Sequence, residues 1–154
     1  MPSSRETPFE TRVRWTGSYV EGQTGGRSYT RDMLVEPAGK PPIPGSAGAR
    51  YFGDDARYNP EDLMLASLAE CHLLTYLALV TKAGIRLAAL SVEVSGSLGT
   101  SEGKTKLVRA TLTARTTVST GDPERARALH TDAHAQCFMS NSVNFPIEII
   151  PSME

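Results

Sequence analysis

Two cysteines hold the most chemical information in this chain of 154 residues. Cys71 sits inside an apolar run, and Cys137 follows 66 positions later. Two readings of the pair stand side by side. Both can be small buried hydrophobes, or they can be a reactive thiol and a resolving thiol. Burial alone raises a thiol pKa and leaves the group inert, so a reactive Cys71 needs a cation nearby. Its own helix offers only Lys82, three turns away. The arginines that could serve instead are Arg27, Arg31, Arg50 and Arg57. Glu61 precedes Cys71 by ten residues, which is about 15 Å of helical rise. A glutamate cannot span that along one helix. A role at Cys71 would need a second chain or a folded-back loop, and the plain alternative is a first-turn acid that complements the helix dipole.

The histidines invite a metal reading. His130 and His134 are four apart, Cys137 comes a turn later, and His72 adjoins Cys71. Zinc would accept such nitrogen and sulfur ligands. Yet His130-Thr131-Asp132-Ala133-His134 lacks the glutamate of a zinc-protease helix, and the spacing suits packing equally well, so no metal and no other cofactor is expected. Phosphate-cradling glycine loops and a nucleophile elbow are absent from the sequence as motifs.

The elements that must position these groups can be read from periodicity and turn chemistry. Residues 9–15 alternate, with Phe9, Val13 and Trp15 on one side, as a strand buried on one face would. A glycine-rich turn at 22–26 leads to a second strand over 27–36. The Pro- and Gly-rich stretch 37–58 reads as a long surface loop. Asn59-Pro60-Glu61-Asp62 is a helix start, with a cap, a proline at the first turn and two acids at the positive dipole end. The run from Leu63 to Ala83 is apolar nearly all round, which suits a helix buried at the centre of a domain or assembly. Glu70 and His72 near its middle argue against a membrane span. Gly84 closes it. Strands over 90–98 and 108–118 follow, joined by a turn at 100–104. A helix starts at Gly121-Asp122-Pro123-Glu124 and runs to about Gln136. Phe145, Ile147 and Ile149 mark a last strand. Hairpins separated by helices predict an α+β fold with a mainly antiparallel sheet, in one domain over residues 1–154.

The formal net charge of −1 gives no general drive toward nucleic acid or an anionic membrane. The opening MPSSRETPFETRVRW lacks a basic segment followed by an apolar run, so no secretory leader is expected and the setting is read as cytoplasmic.

Asn59-Pro60-Glu61-Asp62-Leu63, followed by LASLAECHLLTYLAL around Cys71, resembles the signature helix of the OsmC/Ohr proteins, the osmotically inducible and organic hydroperoxide resistance proteins. LHTDAHAQCFMSNSVNFPIEI resembles the second-cysteine region of the same family. The resemblance covers about residues 9–150. It implies an intertwined homodimer of antiparallel sheets around long central helices, with sites at the subunit interface. It also implies a thiol peroxidase of organic hydroperoxides. Cys71 would be the peroxidatic thiolate. Cys137 would resolve its sulfenic acid as a disulfide, reduced in turn by an external dithiol such as a dihydrolipoyl group. An arginine salt-bridged to Glu61 would activate the thiolate. Gly25-Gly26-Arg27 is the first match for that arginine, and Arg50, shortly before Asn59-Pro60-Glu61, the second. Phe138 stands where many members carry proline, and Glu70 and His72 flank Cys71 where a small residue and phenylalanine are usual. Two other readings remain distinct: a module holding an apolar ligand under Tyr51, Phe52 and Tyr58, and a metal site of His130, His134 and a thiol.

Overall fold

The computed structural model describes residues 5–154; the first four residues of the stretch read for a leader lie outside them. The chain forms two compact units, residues 1–63 and 64–154.

The first unit is a three-stranded antiparallel sheet of β1 (Thr11–Trp15), β2 (Met33–Pro37) and β3 (Ile43–Gly45), ordered β1-β2-β3. Arg12 and Arg14 on β1 both reach Glu36 on β2, at 2.9 and 3.3 Å, a cross-strand charge pairing that fixes register. Three expectations are corrected. The strand expected over 27–36 begins only at Met33. Before it, Gly25–Arg27 form a single 3-10 turn, and Arg31 donates to the carbonyls of Gly26 (2.7 Å) and Tyr29 (3.1 Å), curling the segment away from the sheet. The loop at 37–58 contains β3 and a second 3-10 turn at Ala49–Tyr51. The face of β1 expected to be buried is open: Phe9, Val13 and Trp15 are all exposed. A three-stranded sheet in 63 residues has no long helix of its own to lay across it.

The helix α1 (Pro60–Lys82) begins on a capping box. The Asp62 N–H donates to Asn59 Oδ1 at 2.8 Å and the Asn59 N–H to Asp62 Oδ2 at 3.1 Å. Gly84, at φ +76°, takes the left-handed position that ends it. The second unit adds β4 (Arg86–Ser101), β5 (Lys104–Thr120), α2 (Pro123–Gln136) and β6 (Ile147–Met153). Glu102 and Gly103 both have positive φ, as the tight turn between β4 and β5 demands. Asp122 caps α2 by accepting from the Glu124 N–H at 3.0 Å. The sheet order is β4-β5-β6, and β6 pairs parallel to β5, so this sheet adds one parallel pairing to the mainly antiparallel pattern expected. The reason is the chain path: α2 carries the chain back before β6 is laid down, the crossover that parallel pairing requires.

The core of this unit has two parts. Tyr76, Val80, Ile85, Ala126 and Ala133 join α1 to α2, and Leu68, Ala110 and Leu112 join α1 to the sheet. At Gly96 on β4 a Cβ would lie 2.8 Å from a Leu65 methyl, so glycine lets α1 approach the strand closely. The helix read as apolar all round is buried on one side only. Leu68, Ala69, His72, Tyr76 and Val80 are buried, while Met64, Leu74 and Leu77 stay exposed in the single chain. By length and composition α1 could cross a membrane, yet two of its buried residues, His72 and Tyr76, are polar and hydrogen-bonded within the protein.

Candidate active site

Cys71 lies midway along α1, partly exposed, and Cys137 is buried at the C-cap of α2. Both belong to the second unit, and the fold brings them together. The Cys137 side chain lies close enough to the Cys71 sulfur for each thiol to influence the ionisation of the other. The chain leaves α2 through Phe138 and Met139 into a one-turn 3-10 helix at Ser140–Ser142. Phe138 and Met139, just ahead of that turn, bring their backbone N–H groups near the thiol on α1.

The two thiols have opposite characters. Burial pushes the Cys71 pKa up. It is outweighed by the Met139 N–H, the Cys137 thiol, the Phe138 N–H and the Thr75 hydroxyl, which together bring it below the ordinary thiol value. Polar hydrogens near a sulfur favour its thiolate form; the Thr75 hydroxyl itself donates to the Cys71 carbonyl at 2.9 Å. Burial also pushes the Cys137 pKa up. Ser140 offsets this in part, the neighbouring Cys71 sulfur adds to it, and the net shift is upward. Of the two thiols, Cys71 is therefore the one that loses its proton first. The donors that the second unit gives Cys71 are neutral: two N–H groups, a hydroxyl and a thiol. Sequence reasoning sought a cation and missed them, because a backbone N–H carries no residue signature.

The other expected residues lie in the first unit or at the start of α1. Glu61 is in the first turn of α1. Ten residues of one unbroken helix separate it from Cys71, or about 15 Å, so the two are not in contact along α1. Arg27 is exposed on its 3-10 turn, with its guanidinium 5.7 Å from the centre of the Phe52 ring. Gly26 makes room for that ring, since a Cβ there would lie 2.7 Å from it. A hollow of about 480 Å³ in this unit is lined by Arg27, Arg31, Asp32, Phe52 and Asp54 among others. Of the three aromatic residues expected to roof a ligand, Phe52 lines it and Tyr51 and Tyr58 do not. Arg50 is exposed on the second 3-10 turn. Among the described residues Glu61, Arg27 and Arg50 form no ion pair within one chain. Arg31 is engaged by the carbonyls named above. Arg57 donates to the carbonyls of Gly45 at 2.9 Å and Met33 at 2.8 Å, tying β2 to β3.

The histidines do something other than line a metal site. His72 and His130 are fully buried, with His72 Nε2 3.0 Å from His130 Nδ1. His130 Nε2 lies 3.1 Å from Thr116 Oγ1 on β5. Both nitrogens of His130 are thus occupied, which removes it from the ligand set of the metal alternative. Among the described residues no three His, Cys, Asp or Glu side chains converge as a metal would need. Burial is the main cause, and like-charge repulsion the second, that holds both pKa values down to about 4. The rings are therefore neutral at pH 7, when each nitrogen pair shares one proton.

The chain matches a family model described as OsmC-like protein over residues 53–152. No curated protein matches it in sequence. An OsmC-like protein of unknown function from Vibrio cholerae O1 is 26% identical, with 97% of this chain and 100% of that chain covered and a TM-score of 0.84. An organic hydroperoxide resistance protein OsmC from Legionella pneumophila is 21% identical over 96% of this chain and 97% of that one, with a TM-score of 0.71. The organic hydroperoxide resistance protein OhrB of Bacillus subtilis is 20% identical over 96% and 98%, with a TM-score of 0.65. These last two share the fold. The signature helix and the second-cysteine segment both lie within the matched span, and with the two-helix, two-sheet architecture they bear out the resemblance read from the sequence: this chain belongs to the OsmC family.

Proposed function

We propose that the protein is a thiol peroxidase that reduces organic hydroperoxides to alcohols. The observation that carries this reading is the asymmetric thiol pair: the surroundings of Cys71 ease its ionisation, while those of Cys137 oppose it. The Cys71 thiolate attacks the distal peroxide oxygen, and the O–O bond breaks. The alkoxide takes a proton and leaves as alcohol, and Cys71 becomes a sulfenic acid. The Cys137 sulfur then attacks Cys71, the S–O bond breaks, and the hydroxyl leaves as water with the Cys137 proton. The resulting disulfide accepts two electrons from an external dithiol, such as a dihydrolipoyl group, by thiol exchange. No cofactor is needed for these steps. The names of the fold relatives from Legionella and Bacillus point to the same substrate class.

The apolar side of α1 left exposed by Met64, Leu74 and Leu77 favours a cytoplasmic homodimer that covers it, with each chain contributing one domain over 1–154. In that assembly the second copy supplies what one helix cannot, a Glu61 and an Arg27 or Arg50 near Cys71.

The test is turnover of cumene hydroperoxide with a dithiol reductant. Cys71→Ser is expected to lower it by at least about 10³-fold. Cys137→Ser is expected to allow one oxidation of Cys71 and no intrachain disulfide. Full activity in Cys71→Ser would refute the assignment.

A further inference from the structure

The buried histidine pair is not used by the chemistry above, yet it sits against both thiols in sequence. His72 follows Cys71 on α1, and His130 precedes Cys137 by two turns on α2. The contacts between these helices form a ladder. Tyr76 Oη donates to the Ala126 carbonyl at 2.9 Å. Four residues back along α1 and four residues on along α2, His72 meets His130 at 3.0 Å. Cys71 lies one residue back from His72 on α1, and Cys137 seven residues beyond His130 at the end of α2. The Tyr76 ring also stacks on His130, with centroids 3.6 Å apart and planes within 9°. On its far side His130 is held by Thr116 of β5 at 3.1 Å.

The choice of polar groups here is informative. Two buried imidazoles cost more to desolvate than two leucines, and the Nδ1 atom of His72 has no hydrogen-bond partner among the described residues. What they supply in return is direction. An apolar contact lets two helices slide, whereas a hydrogen bond between two stacked-in rings fixes both spacing and rotation.

We propose that His72 and His130, anchored by Thr116, are positioning residues that hold α1 and α2 at the separation and rotation that bring the Cys71 and Cys137 sulfurs within bonding reach. This rests on the two thiols acting as a redox pair, and it needs no particular oxidant. Loss of the clamp lowers the effective concentration of one thiol at the other.

The measurement is the equilibrium of the purified protein with a glutathione buffer, in which the dithiol is oxidised to the Cys71–Cys137 disulfide while one glutathione disulfide becomes two glutathiones. His72→Leu is expected to lower the equilibrium constant for the disulfide by about tenfold, the worth of one buried hydrogen bond. His72→Gln, whose amide nitrogen reaches the Nε2 position, is expected to stay within about threefold of the parent. Thr116→Val, which keeps the shape of β5 and frees His130, is expected to lower it by about threefold or more. A parent-like constant in His72→Leu, or an equal fall in Gln and Leu variants, overturns the proposal. If His72→Leu does not fold, an unchanged constant in Thr116→Val overturns it. A general loss of stability would move the melting temperatures of the Gln and Leu variants without separating their constants. Cumene hydroperoxide is tested in parallel: a parent protein oxidised by glutathione disulfide and indifferent to the peroxide would defeat the peroxidase reading and leave the clamp intact.

Discussion

The two compact units are built on different principles. Residues 64–154 enclose a core: Leu68, Tyr76, Val80, Leu112, Ala114 and Ala126 are each essentially without exposure, and Tyr76, His130 and Thr116 among them are hydrogen-bonded. Residues 1–63 bury almost nothing by themselves. Their sheet shows Val13 and Trp15 to solvent, and their order comes from guanidinium groups bonded to backbone carbonyls at Gly26, Tyr29, Met33 and Gly45. The difference separates two jobs. The enclosed unit holds the sulfurs to a fixed geometry. The open one presents aromatic and basic surface.

The contrast can be broken or sharpened by experiment. The largest effect is expected from acid. His72 and His130 have pKa values near 4 in the folded protein, against about 6.5 for free imidazole. Because the folded values are depressed, the unfolded chain binds more protons between those limits. Stability contributed by the neutral rings is therefore full above pH 6.5 and is lost as pH falls toward 4, on the order of 3 kcal/mol for each of the two rings. Denaturant titrations from pH 7 to pH 4 should show this loss. Replacing His72 with Gln should flatten the curve, and an equally steep curve in that variant would place the proton uptake elsewhere. Next in size is Tyr76→Ala, which removes a buried ring and its bond to Ala126. About 3–5 kcal/mol is expected, read as a shift in the urea midpoint. At the small end is Val13→Ala on the exposed face of β1, expected to change the stability of the isolated chain by less than about 0.5 kcal/mol. A larger loss that grows with protein concentration would show that this face is covered in the assembly.

Much of this was legible in the residues. The helix starts at Asn59 and Asp122, the stop at Gly84 and the turn at Glu102-Gly103 follow from local backbone chemistry, which short-range sequence encodes. The pairing of Cys71 with Cys137 was legible only through the family resemblance, because 66 intervening residues carry no local signal of proximity. The parallel placement of β6 depends on chain path and not on its own alternation, which looks the same in either orientation. The N–H donors of Phe138 and Met139 belong to backbone, and any residue types could provide them. His130 looked like half of a metal pair because periodicity reports a shared helix face and says nothing of what that face meets.

The β4–β5 hairpin runs far beyond its neighbour, since β6 pairs only with Ala110–Thr116. The outer ribbon thus carries unsatisfied backbone along both margins, the kind of surface on which foreign strands can nucleate. Lys104, Lys106 and Arg109 occupy this stretch of β5, and a docking strand would have to bury their charges. Neutralising all three should leave the fold in place and make the protein prone to sticking to itself through that ribbon.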